Sequence, residues 1–327
     1  MPTLSRTAVA YLTVPPAAKN AWLREAGALE YPDPGRPEAW RAFVREASAL
    51  AHAHLPFTSF ETLYEFFSPG GPDALLIENL PVDPMLPPTP TGGARPAAKS
   101  AVSEAVIAGI VEPHAAIVSY LNEKAGAPIH EIAPVPGLEH VPSSSGRVSF
   151  AYHTDVAFLA PNFSPRGLLL FGLRNESGAP TSVLMLEKLL EAAPDRLIRT
   201  LEQPVFRHPT PASFHLDVSV IRPVLWTDWR GMARIAVQTH AVQGLTEEAR
   251  DAIAELRALT AAIEPERVVL RPGSALLFKN DRVLHGRDAF TGERWLQRAY
   301  FTDSLGLFQD RAGAPPQAFA FDARDLL

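Results

Sequence analysis

Residues 274–303 read SALLFKNDRVLHGRDAFTGERWLQRAYFTD, which is a series of short apolar runs separated by turn residues. Such runs are typical of strands in a β-sandwich or barrel. The pattern extends back to about residue 128 through GLLLFGL, TSVLML, PVFRH, RIAVQT and RVVLRPG. One stretch in this region, TEEARDAIAELRALTAAI (246–263), instead has helical spacing, and Thr246 suits its N-cap. The sequence therefore predicts a mainly β fold with flanking helices and a jelly-roll core.

The N-terminal third predicts helices that support this core. Apolar residues recur at helical spacing after Pro37, a residue type favoured at the first helical position. A second helix is predicted for SFETLYEFF (59–67) and a buried strand for DALLIENL (73–80). Residues 97–125 predict one long helix, bent at Pro113.

The chain is predicted to form one domain over residues 1–327. Its richest Pro/Gly stretch, residues 81–96, is interpreted as a surface loop because a strand precedes it and a helix follows. The predicted parts are a helical N-terminal buttress (1–127), a jelly-roll core with an inserted lid and the helix 246–263 (128–305), and a C-terminal tail (306–327).

Composition and charge narrow the functional classes. The 327 residues include 30 Lys and Arg against 36 Asp and Glu, a formal net charge of −6. Nucleic-acid-binding domains usually carry a basic face, so no nucleic-acid partner is expected. The absence of cysteine excludes disulfides, thiolate zinc sites, cysteine-bound Fe–S clusters and thiol nucleophiles. No targeting segment and no run of about 20 apolar residues is visible, so we expect a cytoplasmic protein without a membrane partner.

Two of the ten histidines lie in patterns that favour a metal site. In SFAYHTDVAF (149–158), His153 and Asp155 project to the same face of an extended backbone. His285 ends a later predicted strand and precedes a glycine. Two histidines and one carboxylate on one face of an ion form the facial triad of non-haem Fe(II) oxygenases. An H-x-D pair alone is common, but the third ligand in a later strand strengthens the prediction.

Two arginines follow the second histidine. Arg294 and Arg298 share a face if GERWLQRAYF (292–301) is a strand, and their apolar neighbours favour a buried one. An oxygenase that binds 2-oxoglutarate needs a cation for the far carboxylate, and arginine offers a bidentate fork. The alternative is that both are surface charges, which is the commoner state of arginine.

Taken together, five stretches resemble the clavaminate synthase-like family of Fe(II)/2-oxoglutarate oxygenases, in particular its asparagine oxygenase and arginine β-hydroxylase group. The resemblance covers roughly residues 70–305. It implies a double-stranded β-helix, a cupin-like jelly roll, that uses Fe(II), 2-oxoglutarate and O2. It also implies hydroxylation of a free L-amino acid at the β-carbon in secondary metabolism, with release of succinate and CO2. The matching stretches are LNEKAGAPIHEIAPVPGLEHVPSSSG (121–146), AYHTDVAFLAPNFSPRGLLLFGLRN (151–175), GAPTSVLML (178–186), LLFKNDRVLHGRDAF (276–290) and RWLQRAYF (294–301).

The resemblance implies roles for the matching residues around the metal. His153, Asp155 and His285 match the iron ligands. Thr181 matches a threonine that hydrogen-bonds the far carboxylate of 2-oxoglutarate, and Arg294 matches the arginine that pairs with it.

The resemblance also implies a pocket for an amino acid. Arg298 matches an arginine that contacts the substrate carboxylate, and Glu123 matches a glutamate that receives its ammonium group. Ser143 and Ser144 match polar groups that line the pocket. A zwitterion needs one anion and one cation, and Glu123 with Arg298 would supply both. The alternative for Glu123 is a solvated carboxylate at a helix end.

Three departures from the family pattern affect these roles. Asp155 replaces the glutamate of many relatives, and it fills the position that a halogenase leaves vacant. The loop between His285 and Arg294 is short, so Arg298 is retained as a second candidate for binding the cofactor. Relatives that act on basic or amide side chains carry an acidic residue near the positions of Gln238 and Thr239. We therefore expect a substrate side chain that is not a strong cation, unless Asp217 or Asp228 in the predicted lid replaces that function.

Other functions remain open at this point. The chain could be a 2-oxoglutarate oxygenase acting on a tethered residue or a small non-amino acid, or a metal-binding β-sandwich without oxygenase activity. It could also be a zinc hydrolase, since two histidines and a carboxylate also hold zinc. The sequence leaves open which amino acid is oxidised, whether desaturation or cyclisation follows, and the oligomeric state.

Overall fold

The structure of the protein is a computed structural model that describes residues 7–327. In chain order its strands are β1 (Ala10–Thr13), β2 (Ala74–Glu78), β3 (Ala116–Tyr120), β4 (His130–Ile132), β5 (Phe150–His153), β6 (Gly167–Asn175), β7 (Thr181–Met185), β8 (Phe206–Pro209), β9 (Ser219–Arg222), β10 (Leu225–Thr227), β11 (Ala233–Ile235), β12 (Gln243–Gly244), β13 (Glu266–Val268), β14 (Ala275–Lys279), β15 (Val283–Arg287), β16 (Arg294–Thr302) and β17 (Ala320–Phe321). The α-helices are α1 (Pro16–Ala26), α2 (Pro37–His54), α3 (Phe57–Phe67), α4 (Val102–Val111), α5 (Leu186–Ala192), α6 (Asp195–Leu201), α7 (Glu247–Ala262) and α8 (Gly306–Ala312).

Two sheets face each other and enclose the central core. The larger sheet has the strand order β1-β2-β14-β6-β16-β3-β17, with β4 also paired to β16, and the smaller has the order β13-β7-β15-β5. Leu168 and Leu170 of β6 pack in one cluster with Val183 and Met185 of β7. Two facing sheets with a shared apolar interior are the expected form of a jelly roll. The predicted mainly β fold is confirmed.

Helices cover the outer faces of both sheets. Trp22 of α1 and Phe43 of α2 pack with the wholly buried α4 against Phe171 and other outward side chains of the larger sheet. Helices α5, α6 and α7 pack on the smaller sheet through Leu184 and Leu284. Helix α2 begins at Pro37, as predicted, and the Thr246 hydroxyl accepts the Ala249 N–H at 3.1 Å to cap α7.

The long helix predicted for residues 97–125 is wrong. Helix α4 ends at Val111, and residues 116–120 form strand β3, which lies between β16 and β17 in the larger sheet. Pro113 removes a backbone donor, and the β-branched Ile117 and Val118 pack well on a sheet. The strand depends on pairing with residues about 180 positions away, which local periodicity does not report.

Two further elements differ from the sequence prediction. Residues 128–305 contain α5 and α6 in addition to α7, where a single helix was expected, and α8 lies in the predicted C-terminal tail. Residues 7–127 contribute three strands to the larger sheet as well as helices. The division into buttress, core and tail stays a prediction.

Within residues 7–327, no helix combines the length and the apolar character needed to cross a membrane.

Candidate active site

Three potential metal ligands converge between the two sheets. His153 ends β5 and lies directly opposite His285 of the antiparallel β15, while Asp155 follows in the turn after β5. His153 Nε2 lies 3.6 Å from Asp155 Oδ1, and one ligand atom from each of the three side chains lies within 4.8 Å of the others. All three residues are buried. Two imidazoles and a carboxylate at this spacing fit the coordination sphere of one divalent ion.

The local sequence explains how these side chains reach one point. In β15, Leu284 faces the outer helices, so His285 faces the interior by alternation. A Cβ at Gly286 would lie 2.9 Å from the Phe150 carbonyl oxygen, so the glycine allows β5 to approach β15. The His153 Nδ1–H donates to the Ala151 carbonyl at 2.8 Å, which leaves Nε2 free to bind a metal.

Burial keeps both imidazoles in the form that metals bind. Desolvation lowers the pKa of His153 below its ordinary range, although the neighbouring Asp155 opposes this. Desolvation, together with His153, lowers the pKa of His285 well below its ordinary range. Neutral imidazole is the ligating species, so these histidines need no deprotonation near pH 7.

Asn280 holds the backbone of the carboxylate ligand. Its Oδ1 accepts the Asp155 N–H at 2.8 Å, and its Nδ2 donates to the Asp155 carbonyl at 2.8 Å and to the Pro165 carbonyl at 3.2 Å. The next residue, Val156, has a φ of 55°, a conformation that is costly for a β-branched side chain. The turn that carries Asp155 is therefore strained, and Asn280 holds it from the β14–β15 connection.

A buried guanidinium without an acidic partner lies beside the triad. Arg294 of β16 donates from Nη2 to the Thr181 hydroxyl at 3.3 Å, and its buried Nε has no hydrogen-bond partner among the described residues. Burial, followed by the nearby Arg287, lowers the pKa of Arg294 to about 9. A buried cation without a counter-ion is costly, so this location favours an anionic ligand.

One pocket joins the triad to this arginine. Its lining includes the three candidate ligands, Thr181 and Arg294, and Ser144. Apolar walls are formed by Ile132, Phe150, Leu170 and Leu296. The predicted metal and cosubstrate residues thus share one cavity.

Arg298 differs from Arg294 because it is paired. Its Nη1 lies 3.1 Å from Asp155 Oδ2, and its Nη2 donates to Glu123 Oε1 at 2.8 Å. Nη2 also lies 2.9 Å from His130 Nδ1, and desolvation by burial lowers the pKa of His130 to about 3, so that nitrogen accepts. Even so, Glu123 Oε2 and Arg298 Nε are both buried and have no hydrogen-bond partner in the part of the chain that the structure describes.

The other predicted substrate residues have mixed placements. Ser143 is turned into its own loop, where its hydroxyl accepts the Ser145 N–H. Gln238 is buried, and its backbone forms an isolated antiparallel β-bridge with that of His153. The Thr239 hydroxyl donates to the Tyr152 carbonyl.

The two acidic residues considered as replacements lie elsewhere. Asp228 is held by Arg234 at 2.7 Å, and Asp217 is exposed. Neither lines the pocket that contains the triad.

Sequence reasoning missed three residues at this site: Asn280, His130 and Arg287. Arg287 lies two residues after His285 in β15 and lines the same pocket. The two-residue period of a strand could have identified it. The other two contact the site from segments whose proximity no local pattern indicates.

Comparisons with known proteins agree with this geometry. A family model described as "Taurine catabolism dioxygenase TauD, TfdA family" matches residues 113–300. The chain is 31% identical over 304 residues to L-asparagine oxygenase of Streptomyces coelicolor, covering 88% of each. It is 28% identical over 309 residues to clavaminate synthase 2 of Streptomyces clavuligerus, covering 85% of this chain and 90% of that protein.

A solved structure of asparagine oxygenase with Fe(II), 2S,3S-3-hydroxyasparagine and succinate superposes with a TM-score of 0.83 at 28% identity, covering 95% of this chain and 98% of the other. These findings confirm the resemblance seen in the sequence. Since the family model matches more than half of the chain, and a relative is 31% identical over 88% of it, the protein belongs to the TauD/TfdA family of dioxygenases.

Proposed function

We propose that this protein is an Fe(II)- and 2-oxoglutarate-dependent dioxygenase that hydroxylates a free L-amino acid, with the β-carbon as the site of oxidation. The observation that carries the proposal is one pocket lined by a two-histidine, one-carboxylate cluster, by the unpaired Arg294 and by Arg298, whose partner Glu123 is not itself a lining residue. The relatives named above include an L-asparagine oxygenase, which supports an amino-acid substrate. We also propose a cytoplasmic location.

The residues present fit a metal ion and a dicarboxylate cosubstrate. His153, Asp155 and His285 would hold Fe(II), and Arg294 with Thr181 would bind the far carboxylate of 2-oxoglutarate. When bound, iron and 2-oxoglutarate activate O2 for C–H hydroxylation, with release of succinate and CO2. The unpaired Arg294 gains its counter-ion only when the cosubstrate is present, which favours binding of a dianion.

Glu123 and Arg298 would recognise the amino-acid zwitterion. The substrate ammonium would donate to Glu123 Oε2, and the substrate carboxylate would accept from Arg298 Nε, since both atoms are buried without a hydrogen-bond partner. Arg298 also contacts Asp155 at 3.1 Å, so the zwitterion would lie directly beside the metal site. Fixing both ends of the zwitterion orients its β-carbon toward the iron and lowers the entropic part of the barrier.

The pocket also favours a neutral substrate side chain. No carboxylate other than Asp155 lines the pocket that the described residues form around the triad. Gln238 and Thr239 are neutral, and Asp228 is bonded to Arg234. A preference for arginine or lysine over neutral amino acids would contradict this part of the proposal.

The other functions left open by the sequence fit less well. A zinc hydrolase or a metal-binding sandwich has no use for the Arg294–Thr181 contact beside the metal cluster. An oxygenase of a tethered or non-amino-acid substrate has no use for Glu123 together with Arg298.

The test is an anaerobic incubation of the protein with Fe(II), 2-oxoglutarate and pools of free L-amino acids, followed by admission of O2. Succinate and a product heavier by one oxygen, both absent with His153→Ala, are expected. Glu123→Gln and Arg298→Met should then raise KM for the amino acid about 100-fold while 2-oxoglutarate binding stays within threefold. Succinate without any oxidised amino acid would overturn the substrate class. No succinate above the His153→Ala control would overturn the oxygenase.

A further inference from the structure

The active-site pocket contains a second buried guanidinium without an acidic partner. Arg287 of β15 is 7% exposed, and its Nη1 is buried without a hydrogen-bond partner. Its Nη2 donates to the carbonyls of Ser143 at 3.2 Å and Gly146 at 3.0 Å. Among residues 7–327, no carboxylate lies within ion-pair distance of it. One edge of the guanidinium is therefore anchored to a loop, and the other edge is left without a partner.

Arg287 and Arg294 belong to one polar patch. Thr181, which contacts Arg294, lies directly opposite Arg287 across the β7–β15 pair. Both guanidinium carbons also lie near the ring of Phe290, at 4.5 Å for Arg287 and 5.7 Å for Arg294. Arg287, Arg294 and Thr181 line the same pocket, whereas Phe290 does not.

Two adjacent cations in a buried pocket are unfavourable unless an anion joins them. The fixed backbone contacts of Arg287 Nη2 hold its guanidinium plane in place, so Nη1 can act as a pre-oriented donor. A carboxylate with four lone-pair sites can accept from both arginines and from the Thr181 hydroxyl at once.

We propose that Arg287 is a second cation for the far carboxylate of the cosubstrate, and that it sets the selectivity for a dicarboxylic 2-oxo acid over a monocarboxylic one. This inference rests on the proposed function. Arg294 and Arg287 would bind the same carboxylate from β16 and β15, the two strands that also carry Arg298 and His285. The remaining explanation for Arg287 is that it only ties the 143–146 loop to β15.

A binding experiment separates these two explanations without relying on turnover. Protein loaded with Mn(II) under nitrogen is titrated calorimetrically with 2-oxoglutarate and with 2-oxovalerate, which has the same keto-acid end and no far carboxylate. Arg287→Met should raise the Kd for 2-oxoglutarate about 10- to 100-fold and leave that for 2-oxovalerate within threefold. Arg287→Lys, which keeps the charge but loses the fork, should show a specific loss of about three- to tenfold.

Arg147→Met is the matched control. Arg147 contacts the same Phe290 ring, 5.6 Å from its centre, and donates to the Gly292 carbonyl, but it does not line the pocket. The Arg147→Met variant should keep the dissociation constants for 2-oxoglutarate and 2-oxovalerate within threefold of those of the unaltered protein. An equal loss of both ligands in Arg287→Met, or no loss of either, would overturn the inference in favour of a loop tie. If Arg287→Met does not fold, a change below threefold in Arg287→Lys overturns it.

Arg294→Met distinguishes failure of this inference from failure of the proposed function. If Arg294→Met loses the preference for 2-oxoglutarate and Arg287→Met keeps it, only the role of Arg287 is wrong. If the unaltered protein binds both oxo acids equally, the proposed use of 2-oxoglutarate is wrong as well.

Discussion

Strand β16 presents polar side chains on both of its faces, and the two faces differ in what those side chains contact. On the helix-facing side, Trp295 Nε1 donates to Glu131 at 2.5 Å, and Gln297 Nε2 donates to Glu131 at 2.9 Å and to Glu104 at 3.0 Å. On the pocket-facing side, Arg294 and Arg298 each keep a buried Nε that has no hydrogen-bond partner within the described range 7–327.

The cations behind the sheet are paired with carboxylates. Lys99 is fully buried and contacts Glu104 at 2.6 Å and Asp83 at 3.1 Å, and Arg95 contacts Glu104 at 2.6 Å. Buried charged side chains thus lie on the helix-facing side of β16 as well as on the pocket-facing side. What distinguishes the pocket side is that its buried cations keep unused donors, and an unused donor on a buried cation is the better indicator of a ligand site.

The largest expected effect is on the pocket side, where loss of a metal ligand should remove activity and leave stability nearly unchanged. His285→Ala should abolish iron binding and lower turnover at least about 1000-fold, because two ligands hold the ion poorly. The metal-free protein should unfold within about 5 °C of the unaltered one, since His285 Nδ1 makes no hydrogen bond within residues 7–327 that the substitution would remove. Metal content, succinate release and thermal melts measure these outcomes. A fall in melting temperature of more than 10 °C would show that the triad is also structural.

The opposite result is expected behind the sheet. Lys99→Met should lower the free energy of unfolding by about 3–5 kcal/mol, because it leaves Asp83 as a buried carboxylate without a cation and removes one of the two cations that contact Glu104. Where the variant folds, KM for the cosubstrate should stay within threefold. Chemical denaturation and steady-state kinetics measure both quantities.

Lys188→Met is the control for this prediction. Lys188 is one-third exposed and lies 3.9 Å from Glu266, so its loss should cost less than about 0.5 kcal/mol. A tenfold change in KM for Lys99→Met would break the comparison, because it would mean that the paired face also sets the pocket geometry.

A third prediction concerns Asn280, which positions a ligand without touching the pocket. Asn280→Asp keeps the shape but places an oxygen against the carbonyls of Asp155 and Pro165, where Nδ2 now donates. We expect iron affinity to fall about 10- to 100-fold while the preference for 2-oxoglutarate over 2-oxovalerate is kept. Equilibrium metal titration and the binding assay above test this.

Asn175 offers a matched control, because its amide makes the same type of clamp at the end of β6. It accepts the Ala179 N–H at 3.0 Å and donates to the Ala179 and Leu270 carbonyls. Asn175→Asp should lower the free energy of unfolding by about as much as Asn280→Asp does, but it should not change the affinity for iron. Equal losses of iron affinity in both variants would reduce Asn280 to a general structural residue.

The sequence predicted the side chains that line the pocket better than the residues that hold those side chains in place. The two-residue period of a strand correctly places Arg294 and Arg298 on one face, and the H-x-D spacing correctly pairs His153 with Asp155. The contact between Asn280 and Asp155 spans 125 residues and uses backbone atoms, so no side-chain pattern encodes it. The pairing of β3 with β16 is non-local in the same way, which is why a helix was predicted there.

The smallest expected effect comes from Glu112, a buried carboxyl group at the C-terminal end of helix α4. Glu112 is the C-cap residue of α4, where its Oε1 accepts the Ile117 N–H at 3.0 Å, and no ion pair holds it among the residues that the structure describes. Desolvation by burial raises the pKa of Glu112 from 4.5 to about 7. Between these values the folded state binds more protons than the unfolded state, so the free energy of unfolding falls as pH rises through this range.

Glu112→Gln should remove that loss and still accept the Ile117 N–H. Relative to the unaltered protein, it should gain on the order of 2 kcal/mol between pH 4.5 and pH 8 in chemical denaturation. Glu202→Gln is the control, because Glu202 also ends a helix, α6, but is exposed. Parallel pH profiles for the unaltered protein and Glu112→Gln would contradict the assignment. A divergence in stability with unchanged KM values would show that this buried charge outside the pocket costs stability only, in contrast to the ligand-binding roles proposed for Arg287 and Arg294.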